Sequence, residues 1–188
     1  MIGRLKHDKA VSNYRNILES KWISKQEGSL YPIPCVLGAF YGVRISWYRY
    51  IDGFRGHRYW GTLEPFISMK SWLAGGWCKI ATDIETGHLF KKSGSHYTRG
   101  SDLLYNKMAI AKILFSKSIS DFMIRYLGDN QDVRVAKELI KFDKEKIDEL
   151  HDRFQAVKHR DIHWYNERFP LKYYELIKGY TDETRHTF

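Results

Sequence analysis

Hydrophobic and polar positions run in two rhythms along this chain, short apolar stretches broken by turn residues up to about residue 100 and helical spacing beyond it. Residues 8–22 put Ala10, Tyr14, Ile17 and Leu18 on one side of a predicted lead-in helix, which the segment SKQEGSLYPIP breaks. Cys35 to Val43 is apolar, rich in small residues and preceded by Pro34, the pattern of a buried strand. Arg44 to Ile51 reads as a short helix ending at Asp52-Gly53. Leu63 to Leu73 spaces Phe66, Ile67, Met69, Trp72 and Leu73 as a helix does, with Gly75-Gly76 as its stop. Trp77 to Thr82 and Gly87 to Phe90 read as strands. From Asp102 the pattern is helical: Leu103 to Leu127, Gln131 to Val157, and two shorter helices divided by Pro170.

Strands first and helices last, with little alternation, predict an α/β fold of α+β character, a short mixed sheet followed by several helices. The expectation is one domain over residues 1–188: a lead-in helix and loop to 33, a motif-bearing part from 34 to 100, and a helical part from 101.

Composition narrows the class. With 43% hydrophobic and 15% aromatic residues, 188 residues can bury a real core. The formal charge of +9 points to an anionic partner, whether nucleic acid, acidic lipid or the phosphates of a nucleotide sugar. Cys35 and Cys78 lie far apart in apolar contexts without CxxC spacing, which suits buried thiols in a reducing compartment better than a zinc site. The polar N-terminus does not read as a signal peptide and no apolar run approaches the roughly 20 residues of a membrane span, so a soluble cytoplasmic protein is expected. No glycine-rich phosphate loop of Rossmann or Walker type occurs.

Candidate chemistry concentrates between Tyr59 and Lys92. His88, after a glycine at a strand start, is the best metal-ligand candidate among eight histidines, although a lone histidine is more often a hydrogen-bonded structural residue. Glu64 falls in the first turn of its helix, where the dipole favours a carboxylate; such acids are also common without a role. Lys91, Lys92, Tyr97 and Arg99 follow on a loop and supply cations and a phenol for a diphosphate, against the plain alternative of solvated surface residues. Trp60 can stack on a sugar, or simply pack. The segment FRGHRYW, residues 54–60, interleaves basic and aromatic residues and is the strongest local feature for nucleic acid.

The order of Gly38 to Phe40, Ile51 to Phe54, Trp60-Gly61, Glu64, Ser68-Met69-Lys70-Ser71-Trp72, Gly75-Gly76 and Gly87 to Lys92 resembles the C-terminal half of polypeptide N-acetylgalactosaminyltransferases and related family-2-like enzymes of the GT-A fold. The resemblance extends to the stretch before Cys35, to Tyr97-Thr98 and to FPLKYYELIKGY near the end. It implies a glycosyltransferase moving a sugar from a nucleotide sugar to a hydroxyl acceptor with a manganese ion or another divalent cation. His88 would complete the metal site, Glu64 would contact the transferred sugar beside Trp60, Gly38 and Ala39 would lie against that sugar, and Lys91 and Tyr97 would meet the diphosphate.

Two departures qualify it. The usual Trp-Gly-Gly-Glu-Asn is Trp60-Gly61-Thr62-Leu63-Glu64 here, and the nucleotide-binding half with its Asp-x-His ligands is not in this chain. The expectation is therefore the acceptor-side, metal-completing half, working with a separately encoded N-terminal half or self-associating. The alternative is a basic binding module without catalysis, with nucleic acid the less favoured partner.

Overall fold

The computed structural model describes residues 2–5, 20–23, 28–36, 40–84, 87, 99–171 and 174–180. Among the described residues four short strands, β1 (Ile2–Leu5), β2 (Ser20–Ile23), β3 (Leu30–Pro32) and β4 (Lys79–Ala81), accompany eight helices: α1 (Ile45–Tyr50), α2 (Leu63–Leu73), α3 (Gly100–Leu114), α4 (Lys117–Arg125), α5 (Gln131–Phe142), α6 (Lys144–Val157), α7 (Ile162–Arg168) and α8 (Tyr174–Ile177). The fold is mixed and mostly helical. No helix among the described residues is long and apolar enough to cross a membrane.

The strands differ from expectation. They pair as two separate antiparallel ribbons, β1 with β2 and β3 with β4, instead of one mixed sheet. Residues 20–22, expected at the end of the lead-in helix, belong to strand β2; residues 8–19 lie outside the described residues. The strand predicted over Cys35 to Val43 is irregular at 35–36 and 40–43. There the Val36 amide donates to Ser68 Oγ at 3.0 Å, so a helix side chain takes the bond that a neighbouring strand would have supplied. The strand predicted at Gly87 to Phe90 lies, apart from Gly87, outside the described residues.

Helices α1 and α2 fall where the apolar spacing puts them. The two long helices predicted downstream are each divided. Phe115 is extended, and Ser116 Oγ accepts from the Ile119 amide to start α4. Asp143 interrupts the second at φ −89°, ψ 15°, and Asn130 and Asp161 cap α5 and α7 through Val133 and Trp164.

Helix α3 is the centre of the helical part, buried along nearly its whole length and packed on α4, α5 and α6. Its last carbonyls would be orphaned without partners. Helix α6 and the Lys158 that follows it supply them: His151 Nδ1 meets Lys112 O at 2.8 Å, Gln155 reaches Ile113 O and Leu114 O, and Lys158 Nζ donates to Leu114 O at 3.1 Å. Both cysteines are buried free thiols, and burial pushes the Cys78 thiol up to about 12.

Candidate functional site

Helix α2 is the scaffold of the site, and every residue from Pro65 to Leu73 is buried. Its Ser68-x-Lys70-x-Trp72 pattern works as a set of anchors at alternate positions. Ser68 Oγ receives the Val36 amide. Lys70 Nζ donates to the carbonyls of Gly53 at 3.0 Å and Asp52 at 3.4 Å, and lies 4.2 Å from the Phe66 ring centroid. Trp72 Nε1 donates to Ile33 O at 3.1 Å. Two separate segments, residues 33–36 and 52–53, are thereby tied to one helix. Desolvation pushes the Lys70 ammonium down to about 7, opposed by the attraction of Asp52.

Residues 52–62 form a strained loop ahead of α2. Asp52, Tyr59 and Thr62 take left-handed backbone angles, φ 55°, 49° and 59°, in addition to Gly53, Gly56 and Gly61. Such angles in residues with a Cβ persist only where the surroundings over-determine them, and here Asn106 on α3 does so. Its Oδ1 accepts from the Arg58 amide at 2.9 Å, while its Nδ2 donates to Arg58 O at 2.9 Å and Gly61 O at 3.1 Å. His57 supports the same turn through Gly61 O at 2.8 Å and stacks on Phe66 with centroids 5.0 Å apart. Burial holds the His57 imidazole down to about 4, so it is neutral at physiological pH.

The basic residues of FRGHRYW face inward or sit in ion pairs. Arg55 reaches Asp52 and Glu149. Arg58 pairs with Asp143 at 3.3 Å over the Tyr105 ring, and Tyr105 donates its hydroxyl to the same carboxylate at 2.7 Å. Tyr59 and Trp60 face out, at 77% and 52% exposure, whereas Phe54 packs against the core. A nucleic-acid face needs the opposite arrangement for its cations.

Two of the residues singled out from the sequence flank Gly61, and the first turn of α3, which starts after the third, Arg99, packs against it. Trp60 precedes it, Glu64 follows in the first turn of α2, and Arg99 heads α3, whose first turn presses Leu103 against Gly61: a Cβ there would stand 2.1 Å from Leu103 Cδ2. With φ at 107°, that position is also closed to side chains by its backbone. Thr62 turns its hydroxyl to Gly61 O at 2.7 Å and gives α2 no side-chain cap, so its first free amides face the Glu64 turn. The Tyr41 phenol is raised by burial and then by the Glu64 carboxylate, so the stretch after residue 40 lies within electrostatic reach of that acid.

Gly38, Ala39, His88, Lys91, Lys92 and Tyr97 lie outside the described residues. Among the described residues no three His, Cys, Asp or Glu side chains converge as a metal-holding group. They do not by themselves fit a divalent cation, and no chemistry is routed through one below. Sequence reasoning missed Asn106, His57 and the Arg58–Asp143–Tyr105 triangle. The Gly-rich, turn-prone composition of 53–61 signals an unusual loop, but nothing local points to a partner 48 residues away. Neither a protein-family model, nor a curated protein, nor a solved structure matches the chain.

Proposed function

We propose that this chain is the acceptor-side half of a metal-dependent glycosyltransferase of GT-A type. The observation that supports the proposal is the packing of the Gly61 turn, flanked by Trp60 and Glu64, against Leu103 in the first turn of α3, which starts after Arg99. In this reading Trp60 offers an indole wall for a pyranose ring, and Glu64 accepts hydrogen bonds from sugar hydroxyls. Arg99, with Lys91 and Tyr97, holds the leaving diphosphate. His88 would contribute a single ligand to manganese, and the remaining ligands would come from a nucleotide-binding half outside this chain. Phe40, Val43 and Ile45 stand 67%, 46% and 63% exposed in a stretch with Arg44 and Arg49 and no acid, which suits a face covered by that half.

Calorimetry of the purified chain with manganese and a uridine-diphosphate sugar tests the half-site. Weak or no binding is expected alone, and tight binding would overturn the half-site reading. In an assembly that does transfer sugar, Glu64→Gln should lower kcat/KM by about tenfold or more, the value of a lost charge-assisted hydrogen bond. Transfer at the unaltered rate removes Glu64 from the site.

A further inference from the structure

A group of cations at the far end of α2 plays no part in that reading. Trp77 follows the Gly75-Gly76 break and is 51% exposed. It meets the buried Trp72 edge-on, with ring centroids 5.3 Å apart, which fixes its orientation. Three cations surround its ring: Arg168 Cζ lies 5.0 Å from the centroid, and Arg160 Cζ and Lys79 Nζ each lie 5.5 Å from it.

Many of the surface cations have acids beside them, Lys117, Arg134, Lys141, Lys144, Arg153 and Lys178 among them. Among the described residues, Lys79, Arg160 and Arg168 have none. Arg160 gives one Nη to the carbonyls of Trp72 and Gly76 at 3.2 and 3.0 Å. It thereby covers the oxygens at the C-terminal end of α2 that would repel an anion. Arg168 is held by rings, 5.6 Å from the Trp72 centroid and 5.9 Å from that of Phe169 as well as over Trp77. Among the described residues its guanidinium makes no hydrogen bond, so a positioned fork of donors stands free. Burial, then the nearby Arg168, lowers the Arg160 pKa, so the two guanidiniums feel each other. Like charges held together without an acid are relieved by a bound anion.

We propose that Trp77, Lys79, Arg160 and Arg168 form a binding site for a phosphate monoester or diphosphate group. Arg168 takes two oxygens in its fork, Lys79 adds a second charge, Arg160 supplies field, and Trp77 walls the site from water. Cations occupy the surroundings of the indole that a stacked base would need, which favours a compact dianion over a nucleic-acid strand. Glu64 and Leu73 are nine residues apart on α2, about 13 Å at the helical rise, so this site stands a helix length from the acid assigned above to the transferred sugar.

The test titrates the full chain with sodium pyrophosphate in a calorimeter and, separately, sediments it with vesicles of phosphatidic acid in phosphatidylcholine. Binding to at least one probe is expected, weakened about tenfold or more by Arg168→Gln and by Lys79→Gln. Arg134→Gln, which removes the same charge from the exposed face of α5, should change it less than about twofold. A pyrophosphate response assigns a soluble ester, and a vesicle response alone assigns a lipid headgroup. No binding to either probe, equal losses in all three variants, or Arg168-dependent binding to oligothymidine in place of both probes overturns the site.

Discussion

Replacing Lys70 by Met should remove a rise in stability with pH that the unaltered chain shows above neutrality. Lys70 is 1% exposed, and its ammonium, ordinarily at 10.5, is pushed down to about 7. That displacement is worth roughly 5 kcal/mol between the protonation states, at about 1.4 kcal/mol for each tenfold in proton affinity. Because the folded value is the lower one, the unfolded chain binds more protons between pH 7 and 10.5. Stability therefore rises across that window, and the burial penalty is fully present below it. A neutral amine still has two N–H groups for the carbonyls of Gly53 and Asp52, so both bonds survive deprotonation. From pH 7.5 to 8.5 the gain is about 1 kcal/mol, or roughly 2–4 °C in Tm for a chain of this length. The assay is thermal unfolding followed by circular dichroism at several pH values, stopped near 8.5 so that the raised Cys78 thiol does not begin to oppose the trend. The Lys70→Met chain should give a flatter line, lower overall at pH 8.5 because the Gly53 carbonyl loses its donor, while Asp52 O keeps the Arg55 amide. Parallel lines for the two chains would refute the reasoning.

On the acid side, His57 is neutral when folded, so stability should fall as pH drops from 6.5 towards 4, by up to about 3 kcal/mol; His57→Gln should flatten that limb in the same melts. Asn106→Leu leaves the amide and the carbonyl of Arg58 without partners, Gly61 O keeping His57 and Thr62, and should destabilise the chain by about 2–4 kcal/mol in urea unfolding. Glu64→Gln should leave Tm nearly unchanged while lowering the Tyr41 pKa in an ultraviolet absorbance titration; an unmoved phenol would separate Tyr41 from the acid.

Much of the local structure was legible in the sequence. Apolar spacing over 63–73 with Gly75-Gly76 behind it specified α2 to the residue, and Asp52-Gly53 marked the end of α1. Both signals are local, a face that must be buried and a backbone that must turn. The breaks at Ser116 and Asp143 were less legible because the apolar spacing runs on through them. Ser116 carries its own N-cap signal, whereas Asp143 is fixed by Tyr105 and Arg58, far away in the chain. The Cys35 to Val43 stretch reads as strand by composition, but a strand needs a neighbour, and at Val36 Ser68 provides the bond instead.

The candidate site divides in the same way. The sequence alone selected Trp60, Glu64 and Arg99 by residue type and order, since an indole, a helix-start acid and a cation carry their chemistry with them. It could not tell that Lys70 and His57 would be stripped of water, that the cations of FRGHRYW would be tied up by Asp52, Glu149 and Asp143, or that Lys79, Arg160 and Arg168 would collect around Trp77. Desolvation and the pairing of charges depend on what lies within a few ångströms in space, and 89 positions of chain separate Lys79 from Arg168. Spacing along the chain determined the helices and named the reactive groups; only tertiary packing decided which groups hold the fold and which are left free for a ligand.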